Sequence, residues 1–169
     1  MENSLTEAKI SLSDEVSRLI EDCEHSSKGH FAAAEIWGYV HFVIGLPATA
    51  LAAVAGHQAF QDQADLAGTL AIFSAAIAAV LTFLDPAAKK QSHLAAANQY
   101  NNLQKKGRLL GSVKMKVAEF ATSLGDFEKL SHERDQLNLT SPQIPNLAYK
   151  IGRGRIKSGQ TLYRVDNDS

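Results

Sequence analysis

Hydrophobic and polar positions are distributed very unevenly along this chain. Residues 36–56 read IWGYVHFVIGLPATALAAVAG, 21 positions without Asp, Glu, Lys or Arg, and residues 66–84 read LAGTLAIFSAAIAAVLTFL, 19 more without any. About 20 apolar residues in a helix match the hydrocarbon thickness of a bilayer. A soluble amphipathic helix of that length needs a polar face at the 3.6-residue period, and neither stretch has one. The spans hold eight and nine Leu, Ile, Val or Phe residues. At roughly −0.3 to −0.6 kcal/mol each, insertion gains about 3 to 5 kcal/mol per span, less what His41 and Pro47 subtract. The competing reading is a buried hairpin inside a soluble helical bundle.

Residues 57–65, HQAFQDQAD, connect the two spans as a short loop and so predict an antiparallel hairpin. The loop carries no Lys or Arg, whereas Arg18, Lys28, Lys89 and Lys90 lie outside the spans. That asymmetry places both termini in the cytoplasm and the loop outside. Trp37 and Tyr39 stand where an interfacial aromatic belt belongs. The second span repeats a small residue every fourth position, at Ala67, Ala71, Ala75 and Ala79. Such a stripe lets membrane helices approach closely, either between copies or within the hairpin. Pro47 predicts a kink in the first span. His41, about one turn inside that span, is a candidate intramembrane polar residue.

Beyond the second span the solvent changes abruptly. Asp85 is suited to cap a new helical segment and Pro86 to its first position, so the helix restarts at the membrane boundary. Lys89 and Lys90 then fall among acidic headgroups. Tyr100, Leu103, Leu110, Val113, Val117, Phe120, Leu124 and Phe127 follow at spacings of three, four and seven, and Leu5, Leu12, Val16, Leu19 and Cys23 repeat the pattern upstream. These seams predict packed helices, within one chain or between protomers. Leu110, Val113, Val117, Phe120 and Leu124 are candidates for an oligomer interface. Gly107, Gly111 and Gly125 predict a bend.

From Pro142 the chain changes character again. YKIGRGRIKSGQTLYRV carries Lys150, Arg153, Arg155, Lys157 and Arg164. Its glycines predict an irregular tail or a β-hairpin turning near Ser158-Gly159. Arg153, Arg155 and Lys157 are candidates for an anionic ligand, against the alternative of a solvated basic tail.

The pattern as a whole predicts an all-α membrane protein. Its parts are a cytoplasmic N-terminal helix over 1–35, spans over 36–56 and 66–84 joined by an outer loop over 57–65, a cytoplasmic helical region over 85–140 and a basic Pro/Gly-containing tail over 141–169. Composition changes this little. A net charge of −1 gives no field for duplex nucleic acid, and a single cysteine excludes a disulfide framework or thiolate metal cluster. The histidines have no metal spacing, and Gly-Arg-Gly-Arg lacks the ending of a phosphate loop. No catalytic, cofactor or metal constellation is present, so an enzyme is not expected. His93 and Tyr100, seven residues apart on one helix face, are read as fixing helix contacts.

The order of a polar leader, a tight two-span hairpin and a long cytoplasmic helix resembles the SLATT family. So does Asp85-Pro86-Ala-Ala-Lys89-Lys90 followed by His93, Tyr100 and Leu103, similar to that family's segment after its second span. The resemblance covers roughly residues 5–135. It implies a two-transmembrane effector of bacterial defence that oligomerises in the inner membrane and permeabilises it. It also implies a cyclic or modified nucleotide signal from a partner such as a cGAS-like nucleotidyltransferase. The alternative is a non-toxic membrane anchor or scaffold that recruits a soluble partner through its cytoplasmic helices.

Overall fold

A computed structural model of the chain describes residues 2–160. Every regular element among them is helical: α1 (Glu2–Phe60), α2 (Ala64–Leu84), α3 (Pro86–Leu109), a π-helical turn (Leu110–Lys114), α4 (Met115–Val117), α5 (Phe120–Thr140) and α6 (Asn146–Lys157). The chain divides into two compact units, one drawing on residues up to Ala33 and from Ser92 onward, the other on Ala34–Gln91.

In the Ala34–Gln91 unit, the end of α1 packs along α2 with numbering that rises on one as it falls on the other. Lys90 lies across Gly38, where an added Cβ would meet its Cδ at 3.3 Å; Leu81 meets Gly45 at 3.6 Å. The Ser74 hydroxyl donates to the Ala48 carbonyl at 2.8 Å. The Lys89 ammonium stands 4.4 Å over the Trp37 ring. The connection is shorter than the sequence predicts. His57–Phe60 continue α1, because nothing in His-Gln-Ala-Phe breaks a helix, and the reversal is confined to residues 61–63 with Asp62 at φ 57°. α1 also runs unbroken through Pro47, and the Thr49 hydroxyl donates to the Gly45 carbonyl in the turn around that proline.

Among the described residues, two helical runs are long and apolar enough to cross a membrane. Only 11% and 6% of their most apolar windows is buried within the chain. The core helix of a soluble protein is mostly covered by its own chain, so burial inside this protein does not account for their apolarity.

The other unit is a helical bundle. Leu12, Val16, Leu19 and Cys23 of α1, Ala96, Tyr100 and Leu103 of α3, Leu110, and Leu130 of α5 form one buried core. The two seams read from the sequence therefore meet within a single chain through residues 12–23 and 100–110, with Phe120 and Phe127 packed against that core and Leu5 left 50% exposed. Gly107 of α3 and Gly111 of the π-helical turn lie against side chains of α1. A Cβ on Gly107 would lie 2.9 Å from Ile20, and one on Gly111 would lie 3.2 Å from Val16. Ion pairs of Lys106 with Glu133 at 2.7 Å and Lys114 with Asp126 at 2.8 Å brace the outside.

Two sequence expectations need correction here. The apolar stripe through Phe127 is not one continuous helix. The π-turn over Leu110–Lys114 shifts its register, and Ala118 and Glu119 become extended, with ψ of 157° and 151°. The tail is not irregular or β-hairpin over residues 146–157, which form α6. The second arm of that hairpin, with Arg164, lies outside the described residues.

Candidate functional site

The densest buried polar cluster belongs to the bundle, and sequence reading singled out only part of it. The core face of α1 continues past Cys23 to Ser27 and His30 at helical spacing, and all three are buried. Across from them α3 presents His93, Ala97 and Tyr100. The Ser27 hydroxyl donates to the Ala97 carbonyl at 3.1 Å. The Nδ1 atoms of His30 and His93 are 2.9 Å apart, at relative exposures of 2% and 3%. The His30 ring also stacks on Tyr100, with centroids 5.5 Å apart at 14°. The Tyr100 hydroxyl donates to Asn138 Oδ1 of α5 at 2.7 Å.

Two ring nitrogens at hydrogen-bond distance need one N–H and one lone pair. The neutral pair therefore holds opposite tautomers, one ring donating from Nδ1 and the other accepting there. Two full cations are incompatible with that contact. Burial is the main cause that pushes His30 down to about 4, with the nearby His93 adding to it, and burial also lowers His93. Burial raises the Cys23 thiol to about 11, so it stays protonated and behaves as a small core residue. Among the described residues no group of three or more His, Cys, Asp or Glu is placed to hold a metal ion. The cluster can hold α1, α3 and α5 in register and can respond to protons. It exposes no nucleophile or base to a substrate.

The residues selected from sequence separate into distinct environments. Ala67 is buried against α1, while Ala71, Ala75 and Ala79 are exposed. Ala71 and Ala75 border a shallow apolar recess with Ala52 and Gly56 of α1, floored by Ala55 and Ala67. Leu110 is in the bundle's own core and Phe120 packs against it, but Val113 and Val117 are 50% and 83% exposed, and Leu124 is also exposed. His41 is exposed on α1. Asp85 ends α2 in the left-handed conformation, and its Oδ1 accepts from the Ala88 N–H at 3.1 Å in the first turn of α3. Pro86 is buried beside it. Arg153 and Lys157 are exposed on α6, and Arg155 is half-buried.

Comparison of the chain with models of known protein families, with curated proteins and with solved structures returned no match.

Proposed function

We propose that this protein is a two-span membrane effector that works by assembly. In this reading α1 and α2 insert as a transmembrane hairpin, copies associate through their small-residue faces, and the inner membrane becomes permeable when a cytoplasmic cue reaches the helical bundle. The observation that supports it most is the pairing of apolarity with exposure. The two spans are free of charged residues over 36–56 and 66–84, yet the chain itself covers only 11% and 6% of their most apolar windows. Lipid or other copies of the same helices would supply the missing cover.

The absence of Lys and Arg from residues 57–65 favours both termini in the cytoplasm, which puts the His30–His93 bundle on the side where a nucleotide signal would arise. The defence role and the nucleotide cue rest on the resemblance of residues 5–135 to the SLATT family. One hairpin has no lumen between its two helices, so a conducting path calls for several copies.

Induced expression in bacteria carrying a membrane-potential dye tests the reading. Depolarisation at expression levels that leave the membrane intact with an inactive single-span control is the expected result. An unchanged potential, with the protein in the membrane and a soluble protein co-purifying on its bundle, would support a membrane anchor instead.

A further inference from the structure

Helix α6 buries one narrow edge and leaves two chemically different stripes outside. Ala148 and Gly152 are its buried residues. A Cβ on Gly152 would fall 2.8 Å from the Gly29 nitrogen and 2.9 Å from the Lys28 carbonyl carbon, so the α6 and α1 backbones touch there. That contact fixes the rotation of the rest of the helix. Lys150, Arg153 and Lys157, at i, i+3 and i+7, form one outward stripe. Leu147, Ile151 and Gly154, at i, i+4 and i+7, form its neighbour. Leu147 is 61% and Ile151 36% exposed, and Gly154 has open space around it.

No acidic residue occurs between Asp135 and Asp166. Among the described residues, none of Lys150, Arg153 and Lys157 belongs to an ion pair, whereas Lys106, Lys114, Lys129 and Arg134 all do. Arg155 turns toward the buried edge and is not part of the stripe, so the outward cationic set is Lys150, Arg153 and Lys157. The residue that α6 touches, Gly29, precedes by seven positions in sequence the uncharged stretch that begins at Ile36.

We propose that α6 is an interfacial helix that lies against an acidic phospholipid surface, with Lys150, Arg153 and Lys157 on lipid phosphates and Leu147 and Ile151 at the boundary of the acyl chains. A helix with cations beside an apolar stripe has the composition that binds in the headgroup plane. A free anion would satisfy the cations alone and leave Leu147 and Ile151 in water. Twelve residues are too few for a stable isolated helix, and docking through Gly152 supplies the order that α6 lacks on its own. The inference rests on the membrane reading above.

The test uses the full chain with Cys23→Ala, carrying a nitroxide on Gly154→Cys, in phosphatidylcholine vesicles with and without phosphatidylglycerol. A second sample carries the label on Ala75→Cys. The expected result is that the Gly154 label loses collisions with an aqueous nickel chelate and gains them with oxygen only when phosphatidylglycerol is present. Changing Lys150, Arg153 and Lys157 to Gln should return it to water, weakening the surface-bound form by about fivefold per cation. A Gly154 label that stays aqueous on acidic vesicles, while the Ala75 label is oxygen-accessible, overturns the proposal and assigns the face to a protein partner or a soluble anion. Equal burial in neutral lipid and in the triple variant overturns it as well. If the Ala75 label is also in water, the membrane reading itself fails.

Discussion

Single residues set two constraints that can be measured. His30 and His93 share a buried hydrogen bond that cannot form when both rings are cations. The groups around them are the Tyr100 ring and Ser27, with Asn138 beyond the tyrosine hydroxyl, and Arg134 and Cys23 near enough to act on Tyr100. A histidine whose folded pKa is depressed stabilises the fold fully above its unfolded value, near 6.5, and loses that contribution as pH falls. For His30 the loss runs from 6.5 down to about 4 and amounts to something on the order of 3 kcal/mol. Thermal unfolding in detergent should therefore drop steeply across this window, and His30→Gln should flatten the curve. Parallel curves for the two proteins would assign the acid loss to other groups. Gly152 sets the second constraint. Gly152→Ala places a methyl group against backbone rather than a flexible side chain. It should cost about 1 to 3 kcal/mol or push α6 off α1, seen as proteolysis near Ile144–Asn146.

At the scale of elements, the joint between α2 and α3 shows how a helical run can pass from an uncharged stretch to a polar one with so small a break. The residue before a proline is disfavoured in the right-handed helical region, and Asp85 adopts φ 40° and ψ 61° instead. Its own N–H still donates to the Leu81 carbonyl at 3.0 Å, its carbonyl accepts from Lys89 at 3.2 Å, and its carboxylate takes the Ala88 N–H. Asp85→Asn and Asp85→Gly should unfold within about 1 kcal/mol of the parent. Asp85→Val, branched in a left-handed position and without the cap, should lose about 2 to 3 kcal/mol. Equal losses for Gly and Val in thermal unfolding would remove the backbone argument. This joint was legible because Asp-Pro acts locally. The break at Ala118–Glu119 was not, because Val117, Phe120, Leu124 and Phe127 keep helical spacing across it while the glycines that suggest a bend stand at 107, 111 and 125. Those at 107 and 111 serve a different purpose, the close approach of α3 and the π-turn to Ile20 and Val16 of α1. In the same way Gly152 reads as a helix breaker until the backbone it touches is in view. His30 escaped because the α1 seam turns polar after Cys23, and a buried histidine is recognised only once its partner across the bundle is placed.

For the whole molecule, the sequence made the apolar spans and the helical class plain, since both depend on long runs of residues. What it left open is which small residues serve the hairpin and which are left for other contacts. The structure separates them: Ser74 bonds to Ala48 and Ala67 is covered, whereas Ala71, Ala75 and Ala79 remain uncovered. Ala71 and Ala75 border a recess that also takes in Ala52 and Gly56, a surface shallow enough for another helix to approach closely. In the proposed assembly such an approach is driven in lipid by packing rather than by the hydrophobic effect, so bulk placed in the recess would act directly on association. Leucine at both positions keeps the span apolar and touches no hairpin hydrogen bond, so insertion and the internal contact of α1 with α2 should survive Ala71→Leu with Ala75→Leu. On the proposed function, crosslinked oligomers and depolarisation should both fall to the level of the inactive control. Depolarisation that persists with both leucines, at equal amounts of protein in the membrane, would move the assembly contact to another face. The exposed Val113, Val117 and Leu124 would be the next residues to change.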